Sequence, residues 1–130
     1  MEKFAVIDIG TNSIKMTIAT KRSPDDFEIL EDHIEITRLG EKISATGILR
    51  DAPISRTIDA LKKMKQRIDD HDVKQIAVVS TKVLRLAENR DQFIDHVKSE
   101  CGFTVEVISG EKEAQLSFLA TRFIPNVPQE

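Results

Sequence analysis

A chain of 130 residues is the size of one domain, long enough to bury a single core. Apolar residues at 40% and charged residues at 32% are ordinary for a globular protein, and with no Trp or Tyr and six Phe as the whole aromatic content, a platform of exposed aromatics stacking on single-stranded bases is not expected. A net charge of −3 argues against DNA as a partner, yet it leaves room for a small phosphate ligand held by a few backbone N–H groups.

After Met-Glu-Lys, a nearly continuous apolar run over residues 4–9 predicts a strand covered on both faces. Asp8 interrupts that run, which is also too short to cross a bilayer, so no signal peptide, anchor or membrane partner is expected. Gly10-Thr11-Asn12-Ser13 is turn chemistry, and the alternation of Ile14, Met16 and Ile18 with polar residues predicts a second strand. Ser23-Pro24-Asp25-Asp26 turns the chain again, and Phe27, Ile29, Ile34 and Ile36 mark a third strand of an antiparallel meander.

The stretch 39–49 carries Gly40, Thr46 and Gly47 and reads as a loop. A helix begins at Asp51 or Ala52, with Pro53 tolerated in its first turn and Ile54, Ile58, Leu61 and Ile68 at helical spacing. Residues 75–80 form a fourth strand. The next helix starts at Asn89, a good N-cap with Gln92 three residues on as in a capping box, and Gly102 stops it. Its inner stripe is Phe93, Ile94, Val97 and Cys101. Residues 104–108 are the last strand, followed by Ser109-Gly110 and a helix to about Ala120; Pro125 and Pro128 mark a tail. The expected fold is α/β, a mixed five-stranded sheet in β-β-β-α-β-α-β-α order with helices on its faces. Cys101 is the lone cysteine, which rules out an internal disulfide and suits a reducing, cytoplasmic setting. His33, His71 and His96 are widely spaced and expected to face solvent, with no zinc-like spacing to Cys101.

Three segments at strand ends can carry chemistry. In Asp8-Ile9-Gly10-Thr11-Asn12-Ser13, a tight turn can aim consecutive N–H groups at an anion, while Asp8 can hold a divalent metal or order a water. A hairpin with a polar turn has the same composition. In Ser80-Thr81-Lys82-Val83-Leu84-Arg85, Thr81 and Arg85 can meet phosphate oxygens, or Ser80 or Thr81 can simply cap a helical turn. In Ser109-Gly110-Glu111-Lys112-Glu113-Ala114, Glu113 sits in a first helical turn. There it can accept a proton from an attacking water or merely complement the helix dipole.

Together, Ile7 to Lys15, Thr37-Arg38-Leu39-Gly40-Glu41 with Thr46-Gly47, Ser80 to Arg85 with Asn89-Arg90-Asp91, and Val107 to Ala114 resemble the Ppx/GppA family of exopolyphosphatases and guanosine-pentaphosphate phosphohydrolases. The resemblance implies a ribonuclease H-like, actin-like ATPase domain over residues 1–124, with 125–130 leading to a second domain. It implies hydrolysis of a terminal phosphoanhydride with Mg²⁺. By position Glu113 matches the catalytic glutamate and Asp8 the acid of the first phosphate motif, where the metal binds. Gly10, Thr11, Asn12 and Ser13 match the phosphate-binding turn, and Thr81, Arg85 and Arg38 would face substrate phosphates.

Two departures stand out. Gln115 occupies a place where many members carry Arg, and the family's second phosphate motif, Asp-Ile-Gly-Gly-Gly-Ser, is absent. The expectation is that it lies beyond Glu130, that the partners are polyphosphate or guanosine pentaphosphate and a missing C-terminal domain, and that the chain alone is inactive and can associate as a homodimer. Alternative readings are a non-catalytic module that binds phosphate-rich alarmones, or half of another actin-like ATPase or sugar kinase.

Overall fold

The computed structural model describes residues 2–23 and 26–111. Alternation sets the first hairpin: Ala5, Ile7 and Ile9 of β1 (Glu2–Ile9) and Ile14, Met16 and Ile18 of β2 (Ser13–Ser23) all turn to one buried face. The two strands pair antiparallel from Ile9↔Ile14 to Glu2↔Lys21. β3 (Asp26–Ile36) adds antiparallel to β2, with register irregularities between Ile18 and Ala19 and between Lys21 and Ser23.

Parallel strands cannot be joined by a tight turn, so the chain leaves the sheet before each of the last two. It passes through α1 (Ile43–Thr46) and α2 (Asp51–Asp70) to β4 (Gln75–Ser80), and through α3 (Lys82–Leu86) and α4 (Arg90–Cys101) to β5 (Val105–Val107). β4 lies parallel to β1 and β5 parallel to β4, giving the order β3-β2-β1-β4-β5. The mixed five-stranded sheet expected from the sequence is therefore present. Of the expected final helix only Gly110 and Glu111 are described, both helical. Its continuation to Ala120, the tail at 125–130 and the turn residues Pro24 and Asp25 lie outside the described residues.

The 20 residues of α2 make a rod of about 30 Å. Its stripe of Pro53, Thr57, Ile58, Leu61, Met64 and Ile68 is buried against the sheet and α4. Polar side chains tie its outer edge to β3. Glu31 accepts from Arg67 Nη1 at 2.5 Å and meets His71 Nε2 at 3.0 Å, and Glu35 meets Lys63 at 3.3 Å. α4 stops at Gly102, whose φ of 77° is the left-handed cap that a glycine supplies without strain.

Four expectations need correction. Stretch 39–49 is not all loop, because left-handed Lys42 and Gly47 bracket the short α1 and its Ile43 is buried. β1 is buried on one face among the described residues, since Val6 on the other is 38% exposed. His33 and His71 are half-buried beside Glu35 and Glu31 rather than solvent-facing. Asn89 stands at the N-cap position but makes no cap bond with its side chain. Its amide instead accepts from Leu49 N at 2.8 Å and donates to Leu49 O at 3.0 Å.

Candidate phosphate-binding site

β1, β4 and β5 run parallel, so Ile9, Ser80 and Val107 lie in register at one end of the sheet. The segments following all three strands leave from that end. Open α/β sheets place ligands beyond the carboxyl ends of such strands.

The first segment is the hairpin turn. Gly10 N donates to Ser13 O at 2.9 Å and closes it. The carbonyls of Thr11 and Asn12 are turned to the loop after β3: Asn12 O accepts from Thr37 N at 3.1 Å and Arg38 N at 3.0 Å, and Thr11 O accepts from Gly40 N at 3.0 Å. Among the described residues, the backbone N–H groups of Thr11 and Asn12 meet no protein acceptor. Two adjacent donors whose carbonyls are already engaged can receive an anion. Asp8, half-buried, pairs in register with Lys15 on β2 and Val79 on β4.

Arg38 is exposed and its φ is 51°, a left-handed conformation that costs a non-glycine residue about 1 kcal/mol. Its N–H bond to Asn12 holds it there, and Arg56 Nε, donating to Thr37 O at 3.0 Å, braces the same loop from α2. Arg50 and Arg56 also flank Glu41, at 3.7 and 3.8 Å.

The second segment follows β4. The buried Ser80 hydroxyl donates to Ile9 O at 2.8 Å and fastens the end of β4 to the end of β1. Thr81 begins α3 without a side-chain cap bond and is only 3% exposed. Arg85 reaches the third segment: its Nη1 donates to Ile108 O at 2.9 Å, and its guanidinium lies beside Gly110. Ile108 N donates to Ser80 O at 2.9 Å, which stitches β5's exit to β4's. Ser109, Gly110 and Glu111 are exposed at this end. Glu113 and Gln115 lie outside the described residues.

The structure thus brings Gly10, Thr11, Asn12, Ser13, Arg38, Thr81 and Arg85 to one end of the sheet, with Asp8 on the strand leading in. Sequence reasoning gave no role to Gly40 or Arg56 and read Ser80 only as a candidate helix cap, yet the contacts of all three hold these segments together. Only the glycine in the Thr37-Arg38-Leu39-Gly40-Glu41 stretch hinted at a close approach. No group of three His, Cys, Asp or Glu suited to a metal occurs among the described residues. A lone carboxylate such as Asp8 still fits magnesium, which is commonly held by one or two carboxylates, substrate phosphates and water.

A five-stranded mixed sheet of this topology defines the ribonuclease H-like, actin-like ATPase class. The model of the Ppx/GppA phosphatase family matches residues 17–124, and the chain belongs to that family. It is similar to the type II variant of the Aquifex aeolicus Ppx/GppA phosphatase, with a TM-score of 0.88 and 37% identity over 93% of this chain and 40% of that one. An exopolyphosphatase from Cytophaga hutchinsonii gives a TM-score of 0.84 and 30% identity, covering 88% of this chain and 36% of that one. A bifunctional 3-dehydroquinate synthase/phosphatase of Fusobacterium nucleatum is 36% identical over 121 residues, 88% of this chain and 18% of the larger protein. The chain therefore spans about two fifths of the solved relatives' length and less of the Fusobacterium protein.

Proposed function

We propose that this chain forms one wall of a phosphohydrolase site that releases terminal phosphate from inorganic polyphosphate or guanosine pentaphosphate, a second domain supplying the other wall. The observation that carries this is the turn after β1, where the Thr11 and Asn12 N–H groups meet no acceptor among the described residues while their carbonyls bind loop 37–40. Ser13, Thr81 and Arg38 add donors around the phosphates, and Arg85 has N–H groups in its fork beyond the one on Ile108. Asp8 holds magnesium, which when bound neutralises phosphate charge. Glu113, which follows β5 and its closing Ile108–Ser80 hydrogen bond in the chain, accepts the proton of the attacking water. A cytoplasmic setting fits the buried free thiol of Cys101.

The test is phosphate release by the enzyme in which this chain is joined to its second domain. Replacing Glu113 with Gln removes the base and lowers kcat about 100-fold or more with little change in KM. The 130-residue chain alone releases no more phosphate than the uncatalysed control. Undiminished turnover in Glu113→Gln removes the catalytic assignment, and robust magnesium-dependent release by the short chain removes the two-domain reading.

A further inference from the structure

A threonine side chain carries a methyl and a hydroxyl on one carbon, so rotation about χ1 exchanges their places, and whatever holds the methyl aims the hydroxyl. Thr11 is half-buried, and its methyl lies against Gly40. A Cβ built at Gly40 would come 2.5 Å from Thr11 Cγ2, 3.4 Å from Thr11 Cβ and 3.2 Å from Val83 Cγ2. The missing side chain at Gly40 is thus a notch, walled by Val83 of α3 and filled by the Thr11 methyl. Gly40 N, bonded to Thr11 O at 3.0 Å, fixes the two backbones at that separation. Among the described residues the Thr11 hydroxyl makes no hydrogen bond, so the group aimed by the notch has its donor available to a ligand.

We propose that Gly40 is a positioning residue: its bare Cα seats the Thr11 methyl and so holds the Thr11 hydroxyl in the one rotamer that meets a substrate phosphate oxygen. That the ligand is a phosphate rests on the proposed function. The seating of the methyl rests on the geometry alone. A methyl added at Gly40 is relieved by swinging Thr11 about χ1, because the clashing atom is the end of a side chain rather than backbone. The chain then folds with the hydroxyl misdirected. Thr11→Ser deletes the clashing methyl and keeps the hydroxyl, so it relieves the clash without removing the donor.

Three-bond couplings at residue 11, measured on the labelled 130-residue chain, report χ1 directly. One dominant rotamer is expected in the wild type, a different or averaged one in Gly40→Ala, and averaging in Thr11→Ser. In the two-domain enzyme with tripolyphosphate as probe, Gly40→Ala raises KM about 10-fold. Thr11→Ser alone raises it about 3-fold, the cost of three rotamers in place of one. The double variant returns to the Thr11→Ser value. A double variant as impaired as Gly40→Ala overturns the proposal. So does an averaged χ1 in the wild type, a reading that needs neither substrate nor the Gly40 variant. Normal turnover by Thr11→Val, which keeps the wedge and lacks the hydroxyl, refutes the phosphate contact and with it the stated purpose of the notch. The coupling data still judge the seating.

Discussion

Asn89 spends both ends of its amide on the backbone of Leu49, 40 residues earlier in the chain. Leu49 is buried at 2% exposure, so neither its N–H nor its carbonyl has ready access to water if that amide is lost. Asn89→Ala is expected to lower the unfolding free energy by about 2 kcal/mol in a urea titration, and a change near zero contradicts the stitch. Cys101 offers a second residue-scale reading. Burial raises its thiol pKa, against a smaller opposing pull from Lys62. The folded chain therefore keeps the proton to higher pH than the unfolded chain does. This contribution to stability is complete below the unfolded thiol's pKa of about 8.5 and is lost as pH rises through the higher folded value. The stability advantage of wild type over Cys101→Ala should shrink as pH rises above the unfolded thiol's pKa of about 8.5. An advantage that stays constant as pH rises past that value contradicts the burial effect.

At the scale of elements, α2 lays a long buried stripe against the sheet and α4. Leu61, Met64 and Ile68 along its inner stripe are fully buried. Leu61→Ala leaves a cavity that close-packed neighbours fill only in part, and should cost about 3 kcal/mol, read from the urea midpoint; a loss near zero contradicts this packing. This helix was legible in the sequence because its apolar spacing is local. So were the β1–β2 alternation and the Gly102 stop. α1 was not, since its four residues lack a period and rest on left-handed Lys42 and Gly47. Asn89 was placed correctly as a helix start, yet its amide partner was out of reach of local reading. Gly40 lay inside a recognised motif, but its notch exists only where three distant segments meet. Turn chemistry and strand ends are written in neighbouring residues; the contacts that fasten them are not.

Across the whole molecule, three parallel strands end side by side, and hydrogen bonds from Ser80, Ile108 and Arg85 bind their exits into one surface. No described helix is long and apolar enough to cross a membrane. This convergence singles out one end of the sheet. A competing hollow lies toward the N-terminal ends of β1 and β4, lined by Glu2, Lys3, Asp72, Lys74 and Gln75. Titrating tripolyphosphate and magnesium into the ¹⁵N-labelled chain separates the two by the backbone amides that shift. The account predicts the largest shifts at Thr11 and Asn12, followed by Arg38, Gly40 and Ser109 to Glu111. Shifts confined to Lys3, Asp72 and Lys74, or none at millimolar ligand, would contradict it.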